Sequence, residues 1–266
     1  MLKYQDQLLS HIDSMTPATF PRSVMFIGEN GCGKHTLCTY LSNKFNIQLF
    51  DITDKISLEL ITEIALQGTE GFYLINLTDI TIKEQNVILK FLEEPPASAY
   101  IIVLAEYANQ VIPTVMNRCE VYEFGKYTPE QLQTFLDDNS KVDIIRYCTT
   151  PGDVLKFEHT DIDLVQKTCD TFLAFLPEAP TAAALYSYTN KLAFDDELNK
   201  IDVLLFLRCF LITLHSKILS GAPLYAEYKL TSELLKSYNI PNIKKLPLWE
   251  NYVIELQRTL RSNNET

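Results

Sequence analysis

A glycine-rich segment near the start of the chain has the residue types and spacing that bind phosphate groups. It reads Gly-Glu-Asn-Gly-Cys-Gly-Lys-His-Thr over residues 28–36. Gly28, Gly31 and Gly33 would let backbone N–H groups turn inward and hold an anion where a helix begins. Lys34 would reach the outer phosphates of a nucleotide with its charged ammonium. These four residues and Thr36 are therefore the candidate nucleotide-binding residues.

The position after the lysine departs from the pattern of a metal-assisted phosphate site. A Ser or Thr hydroxyl normally follows the lysine and holds Mg²⁺, whereas this chain has His35. Thr36 comes one residue later, about 100° further around the helix. His35 has no other ligand residues at metal-binding spacing, so we expect a packing role for it. The loop is predicted to bind phosphate and to hold metal poorly, although a tight packing turn is the alternative interpretation.

Strands and helices alternate around this segment and would position it. An apolar run at residues 24–27 predicts a buried strand immediately before the loop, and apolar residues recur at helical spacing after it. Further strands are predicted at 48–52, 72–77, 100–104 and 121–124, and helices at 4–13, 57–66, 82–94 and 109–118. This alternation predicts a parallel sheet covered by helices on both faces.

Beyond residue 125 the pattern becomes helical. Thr128 is a predicted N-cap and Pro129 the first helical residue. Predicted helices lie at 129–136, 142–147, 152–157, 164–175, 181–192, 200–219 and 248–260. We therefore expect three domains: an α/β domain over residues 1–125, a small helical lid over 126–161 and an all-α domain over 162–266.

Composition excludes several classes of protein. The 266-residue chain is 47% hydrophobic and 21% charged, which is typical of a globular protein. Its net charge of −11 argues against strong DNA binding by the chain alone, although it does not exclude a place in a DNA-handling complex. No apolar run approaches the length of a membrane span, and the N-terminus lacks the apolar core of a signal peptide. We therefore expect a cytoplasmic protein with no membrane contact. The six cysteines form no C-x-x-C pair, so we expect reduced, buried thiols.

Four stretches together resemble bacterial DNA polymerase III clamp-loader subunits of the AAA+ class. They are the loop at 28–36, Asn-Val-Ile-Leu-Lys-Phe-Leu-Glu-Glu-Pro-Pro at 86–96, Ile-Pro-Thr-Val-Met-Asn-Arg-Cys at 112–119, and Thr-Thr-Pro-Gly-Asp-Val-Leu-Lys-Phe at 149–157. The resemblance implies an AAA+ P-loop domain, a helical lid and a helical collar that joins subunits. Many relatives carry a four-cysteine zinc module, which is missing here because no cysteine lies between Cys38 and Cys119.

The resemblance also shows which parts of an ATPase site are missing. Hydrolysing members end the central strand with an Asp-Glu pair, which supports Mg²⁺ and activates water. This chain has Asn76 and Leu77 there, and Asp79 lies two residues past the glutamate position. The polar sensor of the next strand falls on Leu104 or Ala105, both apolar. We therefore expect no hydrolysis of ATP by this chain.

Arg118 is retained at the position where the family has an arginine finger. The resemblance implies that this guanidinium reaches the ATP of a neighbouring subunit and stabilises charge in the transition state. A degenerate nucleotide site with a retained finger resembles the delta-prime type of subunit. The implied partners are the other subunits of a hetero-oligomeric ring of five and, through that complex, a sliding clamp and primed DNA. A surface ion pair is the alternative role for Arg118.

Two other functions remain open on the sequence alone. One is an active ATPase subunit resembling the tau/gamma type, with unusual residues in place of the missing ones. The other is a regulatory subunit that binds ATP or ADP without hydrolysis. Lys34 and the loop glycines favour nucleotide binding, whereas the missing metal and sensor groups argue against turnover.

Overall fold

Five parallel strands form the sheet of this protein. The computed structural model describes residues 2–178, 187, 201–238 and 244–264. The strands lie in the order β2-β3-β4-β1-β5. They are β1 (Ser23–Ile27), β2 (Leu49–Asp51), β3 (Gly71–Asn76), β4 (Ala99–Ala105) and β5 (Glu120–Glu123). Each is parallel to its neighbours, which confirms the parallel α/β sheet predicted from the strand and helix alternation.

The chain divides into two compact units. The first contains residues up to 139 together with 148–156, and the second contains 140–147 and 157–266. The division into three domains stays a prediction. The helix predicted at 181–192 lies outside the described residues, apart from residue 187.

Helices cover both faces of the sheet in the first unit. They are α1 (Asp6–Asp13), α2 (Lys34–Phe45), α3 (Leu58–Gln67), α4 (Ile82–Val87), α5 (Leu89–Glu93), α6 (Pro113–Met116), α7 (Pro129–Gln133) and α8 (Pro151–Phe157), whose last residue falls in the second unit. One apolar core includes Met25, Val103 and Phe91, and the core of the other face includes Phe26 and Leu37. Burial of these strands on both faces explains why their sequences read as continuous apolar runs.

Two predicted helices are wrong in extent. The helix predicted at 82–94 is two helices, because the first ends at Val87 and the second begins at Leu89. The helix predicted at 109–118 is a 3₁₀ turn (Ala108–Gln110) followed by α6. Pro113 explains the second difference: proline forces the preceding residue out of helical geometry, and Ile112 is extended with φ −67° and ψ 142°.

The described part of the second unit is helical. It contains a 3₁₀ segment (Asn139–Tyr147) at its border and the helices α9 (Ile162–Glu178), α10 (Val203–Leu219), α11 (Tyr225–Tyr238) and α12 (Lys245–Asn264). Phe172, Phe206, Phe210 and Trp249 form an aromatic cluster with centroid separations of 5.3–6.3 Å. The helical C-terminal region is therefore confirmed for these residues. The helix α11 had not been predicted.

Several expected properties can be compared with the described residues. Five of the six cysteines are buried, Cys119 is half-buried, and all six are free thiols. Within the described ranges, no helix has the length and apolar character needed to cross a membrane. The same residues contain no group of three or more His, Cys, Asp or Glu side chains placed to hold a metal ion. Thr128 caps α7 through a capping box with Gln131, as predicted for its N-terminus.

Candidate functional site

The phosphate-type loop begins where two central strands end side by side. β1 and β4 are paired with Ile27 opposite Ala105. The N–H of Gly28 then donates to the carbonyl of Ala105 at 3.1 Å. Gly31 and Gly33 have φ of +82° and +109°, the left-handed region in which side chains other than glycine are strained. The glycines therefore set the backbone path from β1 into α2.

A segment from the start of α8 packs directly against this loop. The N–H of Gly152 donates to the carbonyl of Gly31 at 3.0 Å. A Cβ atom added to Gly31 would lie 2.6 Å from Oγ1 of Thr150 and 2.9 Å from Cα of Gly152. On the other side, the Tyr127 hydroxyl donates to the carbonyl of Cys32 at 2.9 Å. Hydrogen bonds to β4, to the start of α8 and to Tyr127 therefore hold the loop.

Lys34 is folded back onto its own loop. Its ammonium donates to the carbonyl of Gly28 and to that of Glu29, the second at 3.1 Å. The residue is 8% exposed. Burial lowers the pKa of the Lys34 ammonium, and the nearby Cys32 and Glu106 side chains oppose that shift. The side chain predicted to bind phosphate is therefore hydrogen-bonded to backbone carbonyls of its own loop.

A cavity of about 480 Å³ opens at the loop and collects most of the predicted nucleotide-binding residues. Its lining includes Gly31, Gly33, Lys34 and Thr36. Gly28 borders a neighbouring cavity of about 300 Å³ instead. Apolar side chains of the first unit, Leu2, Phe135 and Leu155, also line the larger cavity. Its volume falls in the range of small-molecule sites.

His35 does not have the packing role expected from the sequence. Both His35 and Thr36 are exposed at the start of α2, and both border the larger cavity. Lys34 and Leu37 of the same helix turn are buried, whereas His35 and Thr36 lie on its solvent-exposed side. The imidazole consequently lies where a metal-binding hydroxyl would stand.

The strand β3 ends at Asn76 and is followed by Leu77, and neither of these side chains carries a carboxylate. Asn76 uses its side-chain oxygen to accept from the N–H of Thr78 at 3.2 Å, which closes a turn. Leu77 is 2% exposed and belongs to the core. Asp79 ends the 3₁₀ turn Leu77–Asp79 that follows. The residues at this strand end and at His35 do not fit a magnesium-bound triphosphate.

Glu106 is a site residue that the sequence analysis missed. It follows directly after β4, lines both cavities at the loop and is 7% exposed. Burial raises the pKa of its carboxyl group, whereas a hydrogen bond from Tyr107, the charge of Lys34 and the N–H of Asn30 act in the opposite direction. The available signal was its position, since the ends of neighbouring parallel strands meet at one edge of the sheet.

Arg118 lies in a different place, near the amino end of β5, whereas the loop follows the carboxyl end of the neighbouring strand β1. It precedes β5, and β5 pairs with β1 so that Glu120 is opposite Val24. The phosphate-type loop starts four residues after Val24, which corresponds to about 13 Å along the strand. The guanidinium donates to the carbonyl of Thr114 at 2.6 Å and forms an ion pair with Glu93. Its side chain is 31% exposed.

Gln85 fixes the backbone that leads to Arg118. This side chain is 2% exposed. Its amide nitrogen donates to the carbonyl of Gln110 at 2.8 Å, and its oxygen accepts from the N–H of Ile112 at 3.0 Å. Both bonds hold the short connection between β4 and α6. Two of the family motifs, at 86–96 and 112–119, are therefore linked. The links are the hydrogen bonds of Gln85, which directly precedes the first motif, and the Glu93–Arg118 ion pair.

Comparison with protein families matches one part of the chain. Residues 51–128 match the family described as "DNA polymerase III, delta subunit", which is under a third of the 266 residues. The match supports the clamp-loader resemblance. The matched range includes Glu93, Glu106 and Arg118 and excludes the phosphate-type loop.

Comparisons with whole proteins also find similar solved structures. No curated protein matches the chain in sequence. A crystal structure of a DNA polymerase III gamma subunit-related protein from Thermotoga maritima is similar at 14% identity and a TM-score of 0.46. That alignment covers 96% of this chain and 99% of the other.

Proposed function

We propose that this chain is a non-hydrolysing, delta-prime-like subunit of a DNA polymerase sliding-clamp loader. In this role it supplies Arg118 to ATP bound by a neighbouring subunit during clamp loading in DNA replication. The helical second unit would act as the collar that joins it to the other subunits of a ring of five. The sliding clamp and primed DNA would be partners through the complex, and the protein would work in the cytoplasm.

The placement of Arg118 is the observation that carries this proposal. The side chain is partly exposed and lies within the region that matches the polymerase III family. It lies near the amino end of β5, whereas the phosphate-type loop follows the carboxyl end of β1, so a phosphate that it contacts would belong to another molecule. A planar guanidinium with a permanent charge suits binding of phosphate oxygens.

The loop itself supports the non-hydrolysing part of the proposal. Asn76 and Leu77 stand where a hydrolysing site needs two carboxylates, and His35 stands where it needs a hydroxyl. Lys34 is bonded to carbonyls of its own loop. We therefore expect no turnover of ATP or ADP at this loop.

A second candidate function is that of an active ATPase subunit, and one observation favours it. Glu106 is a buried carboxyl group at the loop whose pKa is raised by burial, and such groups serve as general bases in enzymes. In that case hydrolysis by the purified chain would be lost in Glu106→Gln. In the first candidate function the purified chain hydrolyses no ATP at all.

The decisive experiment uses the full chain assembled with the loader subunits that co-purify with it. Single-turnover ATP hydrolysis is measured for the wild type and for Arg118→Ala. We expect hydrolysis at the neighbouring site to fall by about 10³-fold or more, the size of an arginine-finger effect. Native mass measurement should show that the variant complex keeps its subunits.

A matched control is available in the second unit. Arg258 is an exposed arginine that also pairs with a glutamate, Glu255, at 2.5 Å. Arg258→Ala removes the same charge and the same kind of ion pair, and we expect unchanged hydrolysis. Unchanged hydrolysis in Arg118→Ala would reject the finger and leave Arg118 as a surface ion pair.

A further inference from the structure

Glu106 lies beside the phosphate-type loop and lines its larger cavity. Glu106 is the first residue after β4, and the preceding carbonyl of Ala105 accepts from the first N–H of the loop, that of Gly28, at 3.1 Å. Glu106 and Lys34 line the same cavity, and each is more than nine-tenths buried. An acidic and a basic side chain are therefore both buried at the same cavity.

The backbone of Glu106 is fixed by a neighbouring amide. The side-chain oxygen of Gln110 accepts from the N–H of Glu106 and from that of Tyr107, each at 3.2 Å. Gln110 is in turn held through its carbonyl by Gln85. These bonds hold the backbone of the turn after β4, from which the Glu106 side chain extends.

We propose that Glu106 is a built-in anion that takes the place of phosphate at this loop and thereby excludes nucleoside polyphosphates. A carboxylate beside Lys34 neutralises the charge that would otherwise attract the outer phosphates. It also repels them directly, and like charges brought together inside a protein cost several kcal/mol. The inference rests on the proposed function in taking the loop as a non-hydrolysing site, and it names one side chain that opposes nucleotide binding there.

The surrounding groups agree with this role. The groups that face Glu106 are Lys34 and Glu29 of the loop, the N–H of Asn30 and the side chain of Tyr107. Lys34 and Asn30 are the groups that would otherwise contact phosphate, and both stabilise the ionised form of Glu106. The loop is in this sense already engaged with an acidic group of the same chain.

The test measures binding of tripolyphosphate and of Mg-ATP to the purified full chain by calorimetry. Glu106→Gln keeps the size of the side chain and removes its charge. We expect it to bind tripolyphosphate at least about tenfold more tightly than the wild type, the factor that corresponds to 1.4 kcal/mol. Adding Lys34→Ala should remove the gain, which would locate binding at the loop.

Glu123→Gln is the matched control. Glu123 is an exposed acid that borders only the smaller of the two cavities among those described here. This variant makes the same change in net charge and should leave binding unchanged. Equal gains in Glu123→Gln and Glu106→Gln would reduce the effect to net charge and overturn the inference.

Wild-type pH dependence provides a test that needs no variant to fold. The pKa of Glu106 is raised, so lowering the pH neutralises it before ordinary carboxyl groups. Tripolyphosphate binding by the wild type should therefore tighten as the pH falls, and more steeply than in Glu106→Gln, which corrects for titration of the ligand itself. Tight binding by the wild type at neutral pH, or identical pH profiles, would overturn the inference. Neither result depends on Arg118, so the proposed function would be judged separately.

Discussion

The phosphate-type loop and the Arg118 surface differ in how their charges are satisfied. At the loop, Lys34 and Glu106 are both buried and face groups of their own chain. Near the amino end of β5, Arg118 remains partly exposed and is held by a single carboxylate and one carbonyl. At the loop, an added ligand would gain little binding free energy, because the charged groups already have partners. The Arg118 ion pair can be exchanged for an outside anion at small cost, because exposed ion pairs contribute only about 0–1 kcal/mol.

The two regions also differ in what their residues contribute to packing. At the loop, glycine is needed for packing at position 31, since Gly31 is in contact with Gly152. Arg118 has no comparable role in the core. This contrast can be tested by substitution.

The largest effect is expected for the chemistry of the exposed arginine. Arg118→Lys keeps the charge and loses the planar fork that binds two phosphate oxygens. We expect hydrolysis at the neighbouring site to fall on the order of 10²-fold or more, measured by single-turnover kinetics of the assembled loader. Full activity with lysine would mean that charge alone is needed and would weaken the finger assignment.

The next effect concerns packing of the loop. Gly31→Ala would combine a strained φ of +82° with contacts of 2.6 and 2.9 Å, and we expect a loss of about 2–4 kcal/mol in unfolding free energy. Gly68→Ala is the control, because Gly68 has φ +62° and nothing within 4 Å of its added Cβ. It should cost about 1 kcal/mol. Equal losses in chemical denaturation would show that the contact with Gly152 contributes nothing.

A smaller loss is expected where the backbone before Arg118 is fixed. Gln85→Leu removes the two bonds to Gln110 and Ile112 and leaves a buried carbonyl and N–H unpaired. We expect a loss of about 1–3 kcal/mol, together with faster amide hydrogen exchange at Ile112. Unchanged exchange at that amide would show that other groups hold the segment.

The smallest effect is expected for the ion pair itself. Glu93→Gln removes the charged partner of Arg118, and we expect a change of about 0.2–1 kcal/mol in unfolding free energy. Salt should reduce the difference between this variant and the wild type, because exposed charges are screened. A loss above about 2 kcal/mol would make the pair a structural element and favour the surface ion-pair interpretation of Arg118.

The parts of the fold that depend on local patterns could be predicted. Buried parallel strands such as β3 and β4 appear in the sequence as apolar runs, and the loop glycines occupy a strand-to-helix turn. Strand ends and caps were also predictable, since Thr128 and Pro129 mark the start of α7. Each of these signals is contained within a few consecutive residues.

The parts that depend on distant contacts could not be predicted. Glu106 is a single acid after an apolar strand, and its relation to Lys34 follows only from the pairing of β1 with β4. The Glu93–Arg118 pair likewise joins two motifs that lie apart in the chain. The helix α11 was missed because two of its buried residues, Glu227 and Thr231, are polar, so its buried face lacks an apolar pattern.

The discontinuous first unit has a consequence for synthesis on the ribosome. Its last segment, 148–156, follows a stretch that belongs to the other unit, and Gly152 is the residue that packs on Gly31. A nascent chain released only as far as residue 139 therefore lacks one wall of its glycine turn. Because domains form as they emerge, this one is completed late, after translation has already entered the neighbouring unit.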